Sequence, residues 1–293
     1  MRVVGVDVGG TKLAAARDEP GAELVVVPTP RGAEAIVTAI VELVRRVGEG
    51  SLDGVGVGSA GTFDERGTVV AATDLIPGWS GMPLADRLSG ELGVPVVALN
   101  DVHATALGET AAGAGRGFAR VLVAATGTGL GGAFVRDGEV DVGAHGSAGS
   151  LGHIALPGLD RVCSCGLSGH AEPYASGPGM ERSFFEATGV AASLPEIHEL
   201  MLAGDPAAVA AIESGGRVLG RALATAAALI DPGLVVVGGG PARLGDLLLG
   251  PARAAYRADA PALLADVAIV PAALGTRAAV VGAHAAIRAR LSR

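Results

Sequence analysis

The strongest constraint on how this chain folds is a short pattern that occurs twice. Val3, Val4, Val6 and Val8 form a β-branched run ending at Gly9-Gly10, and Leu13 to Ala16 returns as an apolar run closed by Arg17-Asp18-Glu19-Pro20-Gly21. Val121-Leu122-Val123-Ala124-Ala125 repeats the first run, Thr126-Gly127-Thr128-Gly129 the turn, and Gly132 to Val135 the return before Arg136-Asp137-Gly138. A shift of about 119 residues lays Arg17-Asp18 on Arg136-Asp137, Asp7 on Thr126 and Gly10 on Gly129. β-Branched runs favour strands, and paired glycines favour the turns between them. A recurring strand–turn–strand unit predicts two similar lobes. The competing explanation is chance recurrence in a chain with 47 glycines.

The remaining segments alternate between the two periodicities. Ile36, Ile40, Leu43, Val44 and Val47 fall at helical spacing, with Glu42, Arg45 and Arg46 off that face, so a helix is expected over 33–47. Strands are expected at 54–58, before Ser59-Ala60-Gly61, and at 94–99, before Asn100-Asp101. A helix over 102–112 leads to a glycine-rich joint at 113–117. The second half ends with helix over 206–230, a strand at 234–237 running into Gly238-Gly239-Gly240, a strand at 267–270 and a helix over 276–290. Alternating strands and helices indicate α/β lobes that bind ligands at the carboxyl ends of their strands.

Three segments carry chemistry. The turns at Asp7 to Lys12 and Thr126 to Gly129 suit a polyphosphate, because small residues let main-chain amides and hydroxyls approach its oxygens. Asp7 can hold Mg²⁺, usually through water. Lys12 is the only lysine among 22 basic residues, and it stands beside the first turn. Two ordinary tight hairpins are the plain alternative. Neither turn is a Walker A or Rossmann fingerprint, so a nicotinamide cofactor is not supported. Asp101, before a helix, is placed either to take a proton from an attacking hydroxyl or, with Asn100, to cap that helix. His153, Cys163, Cys165 and His170 offer two thiolates and two imidazoles, a set that suits closed tetrahedral Zn²⁺. Free thiols or a Cys163–Cys165 disulfide are the alternatives. Trp79 reads as a hydrophobic anchor for its loop, with sugar stacking as the alternative, and His103, His145, His198 and His284 as surface or core residues.

Composition excludes several classes. A net charge of −8 argues against a nucleic-acid partner, which requires a basic face. No apolar run approaches the ~18 residues of a membrane span. The N-terminus lacks the basic-then-apolar layout of a signal peptide, so a cytoplasmic location is expected.

The ordered set of segments resembles the ROK family of bacterial sugar kinases and sugar-responsive repressors across nearly the whole chain. The matching pieces are Asp7-Val8-Gly9-Gly10-Thr11-Lys12, Gly58-Ser59-Ala60-Gly61 and Leu99-Asn100-Asp101-Val102-His103-Ala104. They continue with Ala125 to Gly132, Ala148-Gly149-Ser150-Leu151-Gly152-His153, Cys163 to Glu172 and Gly238-Gly239-Gly240.

The resemblance implies an α/β, actin-like ATPase (ribonuclease H-like) fold with two lobes around a central cleft. One lobe would hold residues 1–109 plus the returning helix at 277–293, and the other residues 110–276 with the zinc site. The implied reaction is transfer of the ATP γ-phosphoryl group to a hexose, typically at the 6-hydroxyl, with Asp101 as general base. Gly61, Asn100, Ser150, His153 and Glu172 would contact the sugar. Asp7, Gly9, Gly10, Thr11, Lys12, Thr126, Gly127, Thr128 and Gly129 would hold Mg²⁺ and phosphates, with Gly239 and Gly240 on the adenosine side. His153, Cys163, Cys165 and His170 would hold structural Zn²⁺, with the second ring nitrogen of His153 turned to the sugar.

A homodimer is also implied. A sugar-sensing protein acting through a protein partner is the alternative; the first phosphate turn begins within ten residues of the start of the sequence, so no DNA-binding module is expected ahead of it. Two positions depart from the family pattern: His170 stands where Cys is usual, and Ser150 where a sugar-binding Glu is usual.

Overall fold

The computed structural model describes residues 1–72 and 76–293. In chain order its elements begin β1 (Val3–Val8), β2 (Lys12–Arg17), β3 (Val25–Pro28), α1 (Ala33–Val47), β4 (Gly54–Ser59), β5 (Thr62–Phe63), β6 (Val69–Ala71), α2 (Leu84–Leu92), β7 (Val96–Asn100) and α3 (Asp101–Ala112). They continue with β8 (Arg120–Thr126), β9 (Leu130–Arg136), β10 (Glu139–Asp141), α4 (Glu172–Ala175), α5 (Gly177–Thr188), α6 (Leu194–Leu202) and α7 (Pro206–Ile230). The last are β11 (Leu234–Gly238), α8 (Asp246–Asp259), β12 (Ile269–Pro271) and α9 (Ala278–Leu291). The chain divides into two compact units: Met1–Gly117 with Gly138–Ala148 and Ala273–Arg293, and Phe118–Asp137 with Gly149–Ala272.

In the first unit the sheet order is β3-β2-β1-β4-β7. β1 runs antiparallel to β2 and parallel to β4, and β4 runs parallel to β7. Side chains alternate across the sheet. Val4, Val6, Val55 and Val57 enter the core that holds Ile36, Ile40 and Val44 of α1. The opposite face is kept bare so that α9 can lie on it. A Cβ on Gly56 would stand 2.0 Å from the Ala283 carbonyl oxygen, and one on Gly5 would stand 2.3 Å from that of Val280. Asp7 shares Gly5's face by the same alternation, at the strand's carboxyl end.

In the second unit β9, β8, β11 and β12 follow in that order, again antiparallel, parallel and parallel. What recurs between the units is therefore topology. The 119-residue shift does not preserve register: Val8 pairs with Leu13, whereas Thr126 pairs with Leu130, so the second turn is shorter. The core of this unit gathers Leu122, Val235 and Val237 with Met180, Leu219 and Leu223.

Boundaries differ from expectation where local chemistry intervenes. β7 starts at Val96 because Pro95 has no N–H to give the ladder. α3 starts at Asp101 because Asn100 caps it. A 3₁₀ turn, Gly275–Arg277, precedes α9. No helix among the described residues is long and apolar enough to cross a membrane.

Candidate active site

In the first unit, β1 ends at Asp7-Val8 and the chain turns through Gly9 to Thr11. The Gly9 N–H donates to the Lys12 carbonyl at 3.0 Å. Thr29, which sequence reasoning missed, supports the turn from below: its hydroxyl donates to the Gly9 carbonyl at 2.7 Å, and its N–H donates to that of Thr11 at 3.1 Å. Gly10, Thr11 and Lys12 remain exposed.

Asn100 and Asp101 stand at the carboxyl end of β7. The Asn100 carboxamide oxygen accepts from the N–H groups of Val102 and His103 at 2.9 and 3.2 Å, so the capping alternative holds for Asn100. Its amide nitrogen donates to the Gly61 carbonyl at 2.9 Å. One amide proton is left for a ligand. Gly61 has φ +115°, and a Cβ there would meet the Ala71 carbonyl at 2.9 Å. The loop carrying it is anchored by Trp79, which is buried and donates its indole N–H to the Ala60 carbonyl at 3.1 Å.

Asp101 is half-buried and accepts from the Val102 N–H at 2.9 Å. Burial holds its carboxyl above the usual range, against the pull of backbone N–H groups and His103. Burial, together with the charge of Asp101, pushes Asp7 up to about 6, and the Lys12 ammonium opposes the shift. Two carboxyls and one ammonium therefore share an electrostatic environment along one edge of the sheet, with β4 between the strands that carry the carboxyls, the arrangement expected where charge on a ligand is to be managed. Of the other histidines, His103 and His284 are buried, His198 is half-buried and His145 is exposed.

In the second unit the turn after β8 is bound tightly into its own fold. Thr126 is fully buried and donates its hydroxyl to the Ala175 carbonyl at 2.7 Å. The Thr126 side chain, expected among the phosphate ligands, is thus engaged within its own unit. Thr128, at the tip, is exposed. The Gly127 carbonyl accepts from the Gly177 N–H at 2.9 Å. Gly239 has φ +96°, and a Cβ on it would stand 1.7 Å from the Thr126 carbonyl oxygen; Gly240 has open space around it. Glu172, at the start of α4, accepts from the Leu130 N–H at 3.1 Å and from the Ser164 hydroxyl at 2.8 Å. It thus ties the glycine turn to the cysteine loop.

In the same unit the four expected metal ligands meet. One ligand atom from each of His153, Cys163, Cys165 and His170 lies within 4.8 Å of all the others. The His153 Nδ1 and Cys163 Sγ atoms are 3.5 Å apart, and the His170 Nδ1 and Cys165 Sγ atoms 3.3 Å. Tetrahedral Zn–S and Zn–N bonds place neighbouring sulfur and nitrogen about 3.5 Å apart, so this donor set fits zinc. No disulfide joins Cys163 to Cys165. The loop closes because Gly166 and Gly169 adopt φ +89° and +84°. Ser150 and His153 are exposed beside it.

Known proteins share this organisation. The chain is 37% identical to a glucokinase of Streptomyces coelicolor, over 96% of this chain and 95% of that protein. Among solved structures it is similar to a ROK family glucokinase from Streptomyces griseus in complex with glucose and AMPPNP, at 35% identity and a TM-score of 0.83, covering 97% of this chain and 98% of that one. A ROK hexokinase from Thermus thermophilus gives 34% identity and a TM-score of 0.86, with 99% of both chains covered. The family match spans residues 3–290, and the chain belongs to the ROK family, with its actin-like ATPase fold.

Proposed function

We infer that this chain is an ATP-dependent sugar kinase that phosphorylates a hexose, at the 6-hydroxyl in a glucose-like substrate, with Asp101 as general base. The reading is carried by Asp101: a half-buried carboxyl with a raised pKa, at the carboxyl end of β7 and beside the Asn100 amide. A base of raised pKa is better matched to a sugar hydroxyl near neutrality than an ordinary carboxylate. As the hydroxyl oxygen bonds to the γ-phosphorus, its proton passes to Asp101 and the bond to the bridging β–γ oxygen breaks, releasing ADP. Little covalent chemistry is left for the protein, so positioning and charge stabilisation dominate.

Asp7 would hold Mg²⁺ through water, and that ion would neutralise charge on the phosphates. Gly9, Gly10, Thr11 and Lys12 would donate to phosphate oxygens in the first unit. In the second unit Gly127, Thr128 and Gly129 would do so, with Gly239 and Gly240 on the adenosine side. Gly61, Asn100, Ser150, His153 and Glu172 are assigned to the sugar. Zinc on His153, Cys163, Cys165 and His170 would fix the loop that presents His153 and, through Ser164, would orient Glu172.

Purified protein given Mg-ATP and a panel of glucose, mannose, fructose and N-acetylhexosamines should release ADP with at least one sugar. Asp101→Ala should lower turnover about 10³-fold. A variant that matches wild type would end the base assignment. Metal analysis should return about one zinc per chain; a fully active, zinc-free preparation would remove the metal reading.

A further inference from the structure

Glu109 is fully buried, and no part of the reaction described above uses it. One carboxylate oxygen accepts from the N–H groups of Ala114 and Ala273 at 2.9 and 3.0 Å. The other accepts from the Leu274 N–H at 2.8 Å. Three main-chain donors, with no cationic side chain among them, satisfy the group. They come from two places far apart in sequence. Ala114 lies just before Gly117, where the first unit's opening stretch ends, and Ala273 is the residue at which the chain returns to that unit. One side chain thus ties the outgoing segment to the returning one.

The packing of α3 on α9 shows why such a tie matters. A Cβ on Gly108 would stand 2.1 Å from the Ala278 carbonyl oxygen, and one on Gly282 would stand 1.6 Å from that of Ala104. The two helices meet backbone to backbone, so a small shift of either along its axis drives Cβ atoms into the facing main chain. Ties at the ends of α3 then hold it in the one register that this packing admits. Asn100 holds one end of α3 through its cap and the Gly61 carbonyl. Glu109 holds the other, on the segment that leads into α9.

We propose that Glu109 is a positioning residue for phosphoryl transfer: it fixes the register of α3 and thereby the place of Asp101 at the opposite end of the same helix. The proposal rests on Asp101 being the base. Asp101 lies eight residues upstream, about 12 Å along a rigid helix, so a slip at one end reappears at the other. A displacement of about 1 Å at a reacting group costs on the order of 10²-fold in rate.

The test is a double-mutant cycle on the full chain, with melting curves confirming that each variant is folded at the assay temperature. Glu109→Gln keeps the shape but turns one acceptor into a donor facing a backbone N–H. It should lower kcat about 10- to 100-fold while KM for ATP and hexose stays within about threefold. In an Asp101→Ala background the same change should lower the residual kcat by less than about twofold, because the group being positioned is gone. Losses that multiply in full, or a Glu109→Gln enzyme with wild-type kcat, would overturn the proposal. Wild-type turnover by Asp101→Ala alone would instead remove the base, and the proposal with it. Should Glu109→Gln not fold, Glu109→Asp, which keeps the charge on a shorter arm, serves in the same cycle with the same outcomes.

Discussion

The two glycine turns grow from the same arrangement of strands and differ in what surrounds them. The first carries Asp7 and Lys12, stands exposed at Gly10 to Lys12, and is supported from beneath by Thr29. The second carries no ionisable group and is bound to its own unit on several sides. Thr126 is fixed to Ala175, Gly127 to Gly177, and Gly239 presses on the Thr126 carbonyl. A duplicated scaffold has thus been divided into a charged, open turn and a neutral one whose shape the fold dictates. Equivalent glycines in the two turns therefore need not be equivalent under mutation.

The largest test of this contrast compares an alanine within the first turn with one at Gly239, the glycine after β11 that packs on the second turn. Gly239→Ala places a Cβ 1.7 Å from a carbonyl oxygen at φ +96°, combining strain with overpacking. It should cost about 3 kcal/mol or more of stability, read in denaturant melts. Gly10→Ala meets nothing within 4 Å, so it should leave the melt unchanged and act on kinetics alone, raising the KM for ATP about tenfold. Equal stability losses at the two positions would erase the distinction.

A smaller effect should appear with pH. Asp7 is pushed up to about 6, and Asp101 is raised as well. Because the folded-state pKa of Asp7 lies above its ordinary 3.8, this group favours the folded state most below about pH 4, and that contribution is lost as pH rises through about 6. Activity runs the other way, since metal binding and proton abstraction both need carboxylates. The log of kcat/KM should therefore fall below about pH 6, with the midpoint moving lower as Mg²⁺ is added. A rate that stays flat to pH 5 would show that charge at the first turn does not govern the reaction.

Much of the site was legible before any coordinates. Asp7 and Lys12 flank a glycine pair after a valine run, Asn100-Asp101 ends an apolar strand, and two cysteines stand near two histidines; each signal is local. The parts that were missed depend on partners far away in sequence. Thr29 looks like any loop threonine until the strand that precedes it lies beside the first turn. Thr126 looks like any turn hydroxyl until the last residue of α4, Ala175, accepts its hydrogen bond. Glu109 is one glutamate in a helical run, and its three donors arrive from as far as 165 residues away.

The sequence by itself determined the strand-and-turn units, the position of the carboxylates at strand ends and the pairing of two cysteines with two histidines, because side-chain alternation, glycine turns and donor chemistry operate over a few residues. Only the tertiary structure decided which threonine faces outward, which glycines a carbonyl excludes from bearing a Cβ, and which carboxylate serves the backbone instead of the substrate. Those outcomes follow from burial and from hydrogen-bond partners that exist only once distant segments pack together.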